Sequence, residues 1–541
     1  MKISANNARL VLLHAVILLA VRVEAREVAV TPVRSCESLT SLSLLNKTVD
    51  SATLVSTTVS APEYCNVQLT VDSPAQASFR VAVFLPTETW NGRFVGTGGA
   101  GFSAGGLDTP CSWGVGGGYT PCAINAGYAT ASTDGGTQGA SFPLNPDNTL
   151  NLPVIDAWSH LALHETAVAA KELMSLFYGT GPSYSYFYGG SGGGRQALML
   201  AQRSPNDYDG IAAFWPALDL ARLLPGVLWP QVVMNVEGHF IPQSTFNAVN
   251  DKVINECDEL DGVQDDIISN WQECEFDAHT LVGDLLTAEE AEIINKIWQG
   301  PRTVDGEFLW FGPPHGTPLD RLATTVTSSD GATHPAPRSD SLVWIAQWVL
   351  QDPTFDWRTI TYESFTQIFE QSVAMWDARV GAGDPDLSAF REVGGKLIMT
   401  HGTFDNGIPM EGTVGYYNNI ATSLGGMNKA HQVARLFLSP GGGHDRIILG
   451  HPHPGLMPTG YVGATPSPGS VLEALVKWVE NHQPPRKLLG FAQGQGAVPG
   501  MTRPLCMYPL VARYKGRGDT ADSKNFICHK SFGPPGKPFD K

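Results

Sequence analysis

The stretch Gly189-Gly190-Ser191-Gly192-Gly193 constrains this chain more than any other. An aromatic run from Tyr184 to Tyr188 leads into it, and a helical pattern from Arg195 to Gln202 leaves it. A G-x-S-x-G between a strand and a helix is a nucleophile elbow: the serine sits on a strained turn, and its neighbours must lack Cβ atoms so that strand and helix can close on each other. The helix that follows points free N–H groups and the positive end of its dipole at any oxyanion that forms beside the serine. A flexible glycine linker would not be flanked by two segments patterned so strongly.

Serine alone is a weak nucleophile, so the elbow demands a base and an orienting acid downstream, in the chain order serine, acid, histidine. Gly395 to His401 reads as a buried strand, and the loop behind it offers the carboxylate of Asp405 at the strand's carboxyl end. A further strand, Val433 to Leu438, runs into Ser439-Pro-Gly-Gly-Gly-His444. The expected catalytic set is Ser191, Asp405 and His444. A second glycine loop, Gly96-Thr-Gly98-Gly-Ala-Gly101, satisfies G-x-G-x-x-G after a strand, yet Phe102 to Pro110 opens no helix and no acidic residue follows at the ribose-binding distance. It is better placed to supply an oxyanion donor, with the N–H of Gly99 or Ala100 acting beside that of Gly192.

At this point the chain resembles the tannase and feruloyl esterase family of secreted serine esterases. The resemblance runs through Trp90-Asn-Gly-Arg-Phe94, Gly98 to Phe102, Gly189 to Gln196, Tyr208-Asp-Gly-Ile211, Cys257-Asp-Glu-Leu-Asp-Gly-Val263, Lys396 to Ile398, His401-Gly402 and Gly443-His444. It covers most of the chain from about residue 60 onward. What it implies is an α/β-hydrolase fold with a large inserted lid, and hydrolysis of esters of hydroxycinnamic or gallic acids through an acyl-enzyme. The substrate would be a small or polysaccharide-linked aromatic ester. An esterase for another aromatic or small ester is the nearest alternative, and a binding protein of the same fold with impaired catalysis is the alternative from another class. The family places a cysteine just before the serine and another just after the histidine; here Gly190 and Asp445 stand there. How the His444 loop is held is therefore left open by the sequence.

The resemblance also implies a calcium site in the segment between Cys257 and Cys274, with Asp258, Asp261, Asp265 and the main-chain carbonyls of Val263 and Ile267 as ligands. Three acidic residues within eight positions repel one another unless a hard cation or solvent relieves them, and calcium takes oxygen ligands from such loops. Gly262 allows a sharp turn there. Where Asp266 stands the family commonly has glycine. His451-Pro-His453 lacks a third placed ligand and reads as a surface loop.

Met1 to Ala25 carries early positive charges, an apolar run from Leu10 to Val21 and a small residue at its end, the pattern of a secretory signal peptide. Its removal would take the formal charge from −17 to about −19. A chain that acidic is a poor partner for nucleic acid or an anionic membrane surface. Eight cysteines, an even number, suit an oxidising compartment. Their local grouping pairs Cys36 with Cys65, Cys111 with Cys122, Cys257 with Cys274 and Cys506 with Cys528, the last two at spacings the family resemblance also implies. Asn46-Lys47-Thr48 is a glycosylation sequon.

Strand patterns at Arg80 to Leu85, Arg93 to Val95 and Tyr128 to Thr133, with a long amphipathic run from Ile155 to Tyr178, predict a mainly parallel sheet covered on both faces. From about Leu220 to Arg391 the strand rhythm disappears, and eight of the thirteen tryptophans fall there. The expected organisation is a signal peptide over 1–25, a first catalytic part over 26–220, a lid over 221–390 and a second catalytic part over 391–541. A late helix is expected over Val471 to Asn481.

Overall fold

The computed structural model describes residues 30–58, 61–73, 76–108, 123–137, 142–444, 453–458, 469–494 and 496–532. The expected signal peptide, the Cys111–Cys122 pair, Asp445 and His451 lie outside the described residues.

Nine strands form the main sheet: β1 Lys47–Val55, β2 Tyr64–Asp72, β3 Ser78–Pro86, β4 Arg93–Thr97, β5 Ala129–Thr133, β6 Tyr184–Gly190, β7 Gly210–Phe214, β8 Lys396–Gly402 and β9 Ala434–Ser439. Their spatial order is β1-β2-β3-β5-β4-β6-β7-β8-β9. From β5 to β9 every pairing is parallel, whereas β1, β2, β3 and β5 pair antiparallel. The expected parallel half is thus extended by an antiparallel wing that the alternation in β1 and β2 builds and the sequence reading did not mark.

Side chains on the central strands divide between two apolar layers by parity, as a strand requires. Phe187, Ile211, Ala213, Leu397 and Met399 join the layer containing helices α1 (Ala162–Tyr178) and α2 (Gly192–Arg203), while Tyr186, Tyr188, Ala212, Phe214 and Ile398 join the layer containing α8 (Val471–Asn481). Both faces are buried, so these strands read as continuous apolar runs.

No strand of the main sheet comes from residues 215–395. That segment winds through α3 (Leu220–Val236), α4 (Gln243–Cys257), α5 (Ala288–Gln299) and α6 (Tyr362–Val380) around its own apolar core, to which Trp229, Trp310, Trp344, Trp348 and Trp376 contribute. Most of the tryptophans noted in the sequence are therefore core residues. After β9 come small antiparallel sheets, Gly455–Pro458 with Lys487–Gln493 and Thr502–Cys506, and Val511–Tyr514 with Phe526–His529. Three disulfides lie among the described residues, Cys36–Cys65, Cys257–Cys274 and Cys506–Cys528, as the sequence pairing predicted. No helix among the described residues is long and apolar enough to cross a membrane.

Candidate active site

Ser191 sits between the end of β6 and the start of α2 with φ 57° and ψ −119°, a strained combination that only an over-determined turn maintains. Its N–H donates to Phe214 O at 3.0 Å, and its carbonyl accepts the N–H groups of Arg195 and Ala217, each at 3.0 Å. The flanking glycines are sterically required: a Cβ at Gly189 would lie 2.3 Å from Gly193 O, and one at Gly193 would lie 2.7 Å from Gly99 O. Because β6, β8 and β9 run parallel, their carboxyl ends open on one edge of the sheet, where ligand sites of such folds gather.

Asp405 follows β8, and His444 follows β9. His444 Nε2 lies 3.1 Å from Ser191 Oγ, and its Nδ1 lies 2.9 and 3.0 Å from the two oxygens of Asp405. The three expected residues meet. With Asp405 accepting at Nδ1, the histidine presents Nε2 to the serine as a proton acceptor. Asp405 also accepts the N–H groups of Gly407 and Ile408, each at 2.8 Å. Burial by itself would raise this carboxyl, but His444 and His401 outweigh it and hold the group far below the usual carboxylate range.

Without the family's cysteine pair, several contacts hold the His444 loop. The Trp215 indole stands edge-on to the imidazole at 6.0 Å between ring centroids. Gly441 N donates to Thr403 Oγ1 at 2.9 Å, and Phe404 N donates to Gly442 O at 2.9 Å. A Cβ at Gly190 would meet the Trp215 ring at 3.0 Å, so the tryptophan fills space beside the position where the family has its cysteine.

The second glycine loop lies against the elbow, with one correction. The Gly99 N–H donates to Gln196 Oε1 at 3.0 Å, and its carbonyl accepts Gly193 N, so its donor is already committed. Ala100 and Gly192 line the pocket together with Ser191 and His444. Phe102, Ala217, Leu220, Leu223, Leu224 and Ile408 supply its apolar lining, and Arg321, Arg338 and Asp340 also line it. The sequence reading missed these polar residues, which come from an irregular stretch without a motif. Arg338 binds Asp340 through Nε at 3.1 Å and also through Nη2, and its Nη1 donates to Gly407 O at 2.7 Å. Asp320 accepts from Asn406 at 2.7 Å, so two residues of the 215–395 segment brace the loop that carries Asp405.

The acidic loop is compact. Asp258 Oδ1 accepts from Asp265 N at 3.2 Å and Ile267 N at 3.1 Å, and Asp261 Oδ1 accepts from Val263 N at 2.9 Å. Asp265 pairs with Arg503 through Oδ2, while its buried Oδ1 has no hydrogen-bond partner. Burial, with the neighbouring carboxylates, pushes Asp261 up to about 7 and Asp265 up to about 6. Asp266 has φ 60°, a left-handed conformation that accounts for glycine being common there. Among the described residues no three His, Cys, Asp or Glu side chains converge as a metal-holding group. Asp265 Oδ1 is left orphaned here, and Arg503 already neutralises part of the charge. His453 pairs with Asp251 at 2.9 Å.

A strained serine at a strand-to-helix turn, with its acid and histidine following later strands of a doubly covered sheet, defines the α/β-hydrolase fold. A family model described as "Tannase and feruloyl esterase" matches residues 65–529. A probable feruloyl esterase of Arthroderma benhamiae is 36% identical over 469 residues, covering 84% of this chain and 83% of the relative. Among solved structures, feruloyl esterase B from Aspergillus oryzae superposes with TM-score 0.75 at 25% identity, covering 91% of this chain and 99% of that one. Tannin acyl hydrolase from Aspergillus niger superposes with TM-score 0.76 at 22% identity, covering 90% and 92%. The chain belongs to the tannase and feruloyl esterase family, and it is a carboxylic ester hydrolase.

Proposed function

We propose that the protein is a secreted serine esterase that hydrolyses esters of aromatic acids of the hydroxycinnamic or gallic type. The observation that carries this reading is the continuous hydrogen-bonded chain from Asp405 through His444 to Ser191, opening on a pocket lined in large part by apolar residues. Ser191 Oγ attacks the ester carbonyl while His444 Nε2 takes its proton. The N–H groups of Gly192 and Ala100 stabilise the tetrahedral oxyanion. His444 then returns the proton to the leaving alcohol, and water, activated by the same histidine, releases the acid from the acyl-enzyme. Phe102, Leu223, Leu224 and Ile408 supply apolar lining against which an aromatic ring would be buried.

Residues 221–390 act as the lid in this reading, bringing Arg321, Arg338 and Asp340 to the pocket. Calcium, held by Asp258, Asp261, Asp265 and the carbonyls of Val263 and Ile267, would neutralise the buried carboxylates and tie the loop down, with no part in the chemical step. Secretion rests on the pattern of Met1 to Ala25 and on the disulfides, and Asn46, exposed at the turn before β1, is the glycosylation acceptor. The test is turnover of methyl ferulate, methyl caffeate, methyl gallate and p-nitrophenyl acetate, together with covalent labelling by a fluorophosphonate. Ser191→Ala should remove both labelling and turnover by several orders of magnitude at an unchanged melting temperature. Retained turnover in that variant would exclude the mechanism.

A further inference from the structure

Asp405 accepts hydrogen bonds from two imidazoles. On one side stands His444, the proposed base; on the other, His401 Nε2 lies 3.0 Å from Asp405 Oδ2. His401 is the sixth residue of β8, and its side chain is fully buried, as is that of Asp405. The proton on His401 can be placed from its partners. Nε2 faces two acceptors, Asp405 Oδ2 and Ile408 O at 3.1 Å, so it must be the N–H side. Nδ1 lies 2.9 Å from Thr413 Oγ1, whose hydroxyl rotates to donate to it. Thr413 sits in the first turn of α7 (Glu411–Ser423). The resulting relay runs Thr413, His401, Asp405, His444, Ser191.

We propose that His401 is a positioning residue of the esterase site, sharing Asp405 with His444 and thereby setting how strongly that carboxylate draws the proton of His444. The inference rests on the serine mechanism proposed above and adds a member to it. A buried carboxylate distributes its charge over the donors it accepts from. Four donors reach Asp405: two peptide N–H groups and two imidazoles. If the His401 donor is removed, the remaining charge falls more heavily on His444, which then holds its proton to higher pH and gives it up less readily to the leaving group. Other groups facing this loop are accounted for. Arg338 binds the carbonyl of Gly407, Asp320 binds the side chain of Asn406, and Arg321 and Asp340 line the pocket beyond. Glu411 heads the helix that carries Thr413, and burial pushes its carboxyl up to about 8.

The test is the pH profile of kcat/KM for methyl ferulate hydrolysis in His401→Leu, His401→Gln and Thr413→Val. In His401→Leu the rising limb should move up by about 0.5 to 1 pH unit, because one donor to the carboxylate is lost. Glutamine places an amide N–H near the position of Nε2, so His401→Gln should return the limb to within about 0.2 unit of the parent. Thr413→Val weakens the polarisation of His401 and should shift the limb in the same direction by a smaller amount. A purely structural role would lower the amount of active enzyme and leave the limb where it is. A folded His401→Leu with the parental limb, or a glutamine variant shifted as far as the leucine one, would overturn the proposal. If His401→Leu does not fold, an unshifted Thr413→Val overturns it instead. Failure of the serine mechanism looks different: the parent would then escape fluorophosphonate labelling, whatever the behaviour of residue 401.

Discussion

Replacing Gly192 with alanine tests how closely the elbow and the second glycine loop are matched. The new Cβ would lie 2.4 Å from Gly101 O and 3.0 Å from Gly101 N, both backbone atoms. Ordinary contact begins near 3.4 Å, so the Gly101 backbone must retreat by about 0.6 to 1 Å at its carbonyl. Overpacking of that size costs about 1–3 kcal/mol. Gly192 opens α2, where alanine recovers up to about 1 kcal/mol of helix propensity. Net destabilisation is then about 0–3 kcal/mol, a shift of a few degrees at most in a chain of this size. The rate responds differently. The displaced backbone adjoins the residue whose N–H is the proposed donor, Ala100, and losing one oxyanion donor lowers kcat by about 10²- to 10³-fold. The expected outcome is a kcat reduced by roughly 10²-fold with KM little changed, measured beside a thermal melt. A kcat within about threefold of the parent, at the parental melting temperature, would show that the loop is not the oxyanion partner.

Two further outcomes are expected. Chelation of the purified protein should lower its melting temperature more than its intrinsic rate, and Asp261→Ala should reproduce the loss, because the cation ties a loop remote from the serine; indifference to both treatments excludes calcium. Asp405 is held below its unfolded value near 3.9, so the stability it contributes is present above about pH 4 and is lost as pH falls. Asp405→Asn should therefore flatten the stability profile below about pH 4 and lower kcat by about 10⁴-fold; a variant as acid-sensitive as the parent argues against the depressed carboxyl.

The elbow, the strands that carry Asp405 and His444, and the late helix were all legible in the chain because each is written in adjacent residues. Val471–Asn481 forms over the span its apolar spacing predicts. The strand Lys396–Gly402 shows six of its seven residues buried, and in the sequence its apolar stretch from Leu397 to Met399 lies between Gly395 and Gly402. The pairings of Cys36, Cys257 and Cys506 were legible for the same reason, since each partner lies within thirty positions. Gly99 shows the limit of such reading. Its glycine motif was visible, but Gln196, ninety-seven residues later, takes its N–H.

What the sequence alone determined is the order of the catalytic groups and the type of element that carries each, because turn chemistry and periodicity are local properties. Which groups share a hydrogen bond is settled by packing between segments distant in the chain. His401 lies four residues before Asp405, close enough to be noticed, yet its role depends on Thr413 and on the burial of both side chains. Trp215 stands beside Gly190 and against the His444 imidazole, and Arg338 and Asp320 reach the acid's loop from a segment with no motif of its own. Each of these contacts joins residues placed together by the packing of a doubly covered sheet against an inserted helical layer. Their spacing along the chain carries no periodic signal, and so they become readable only when the layers are assembled.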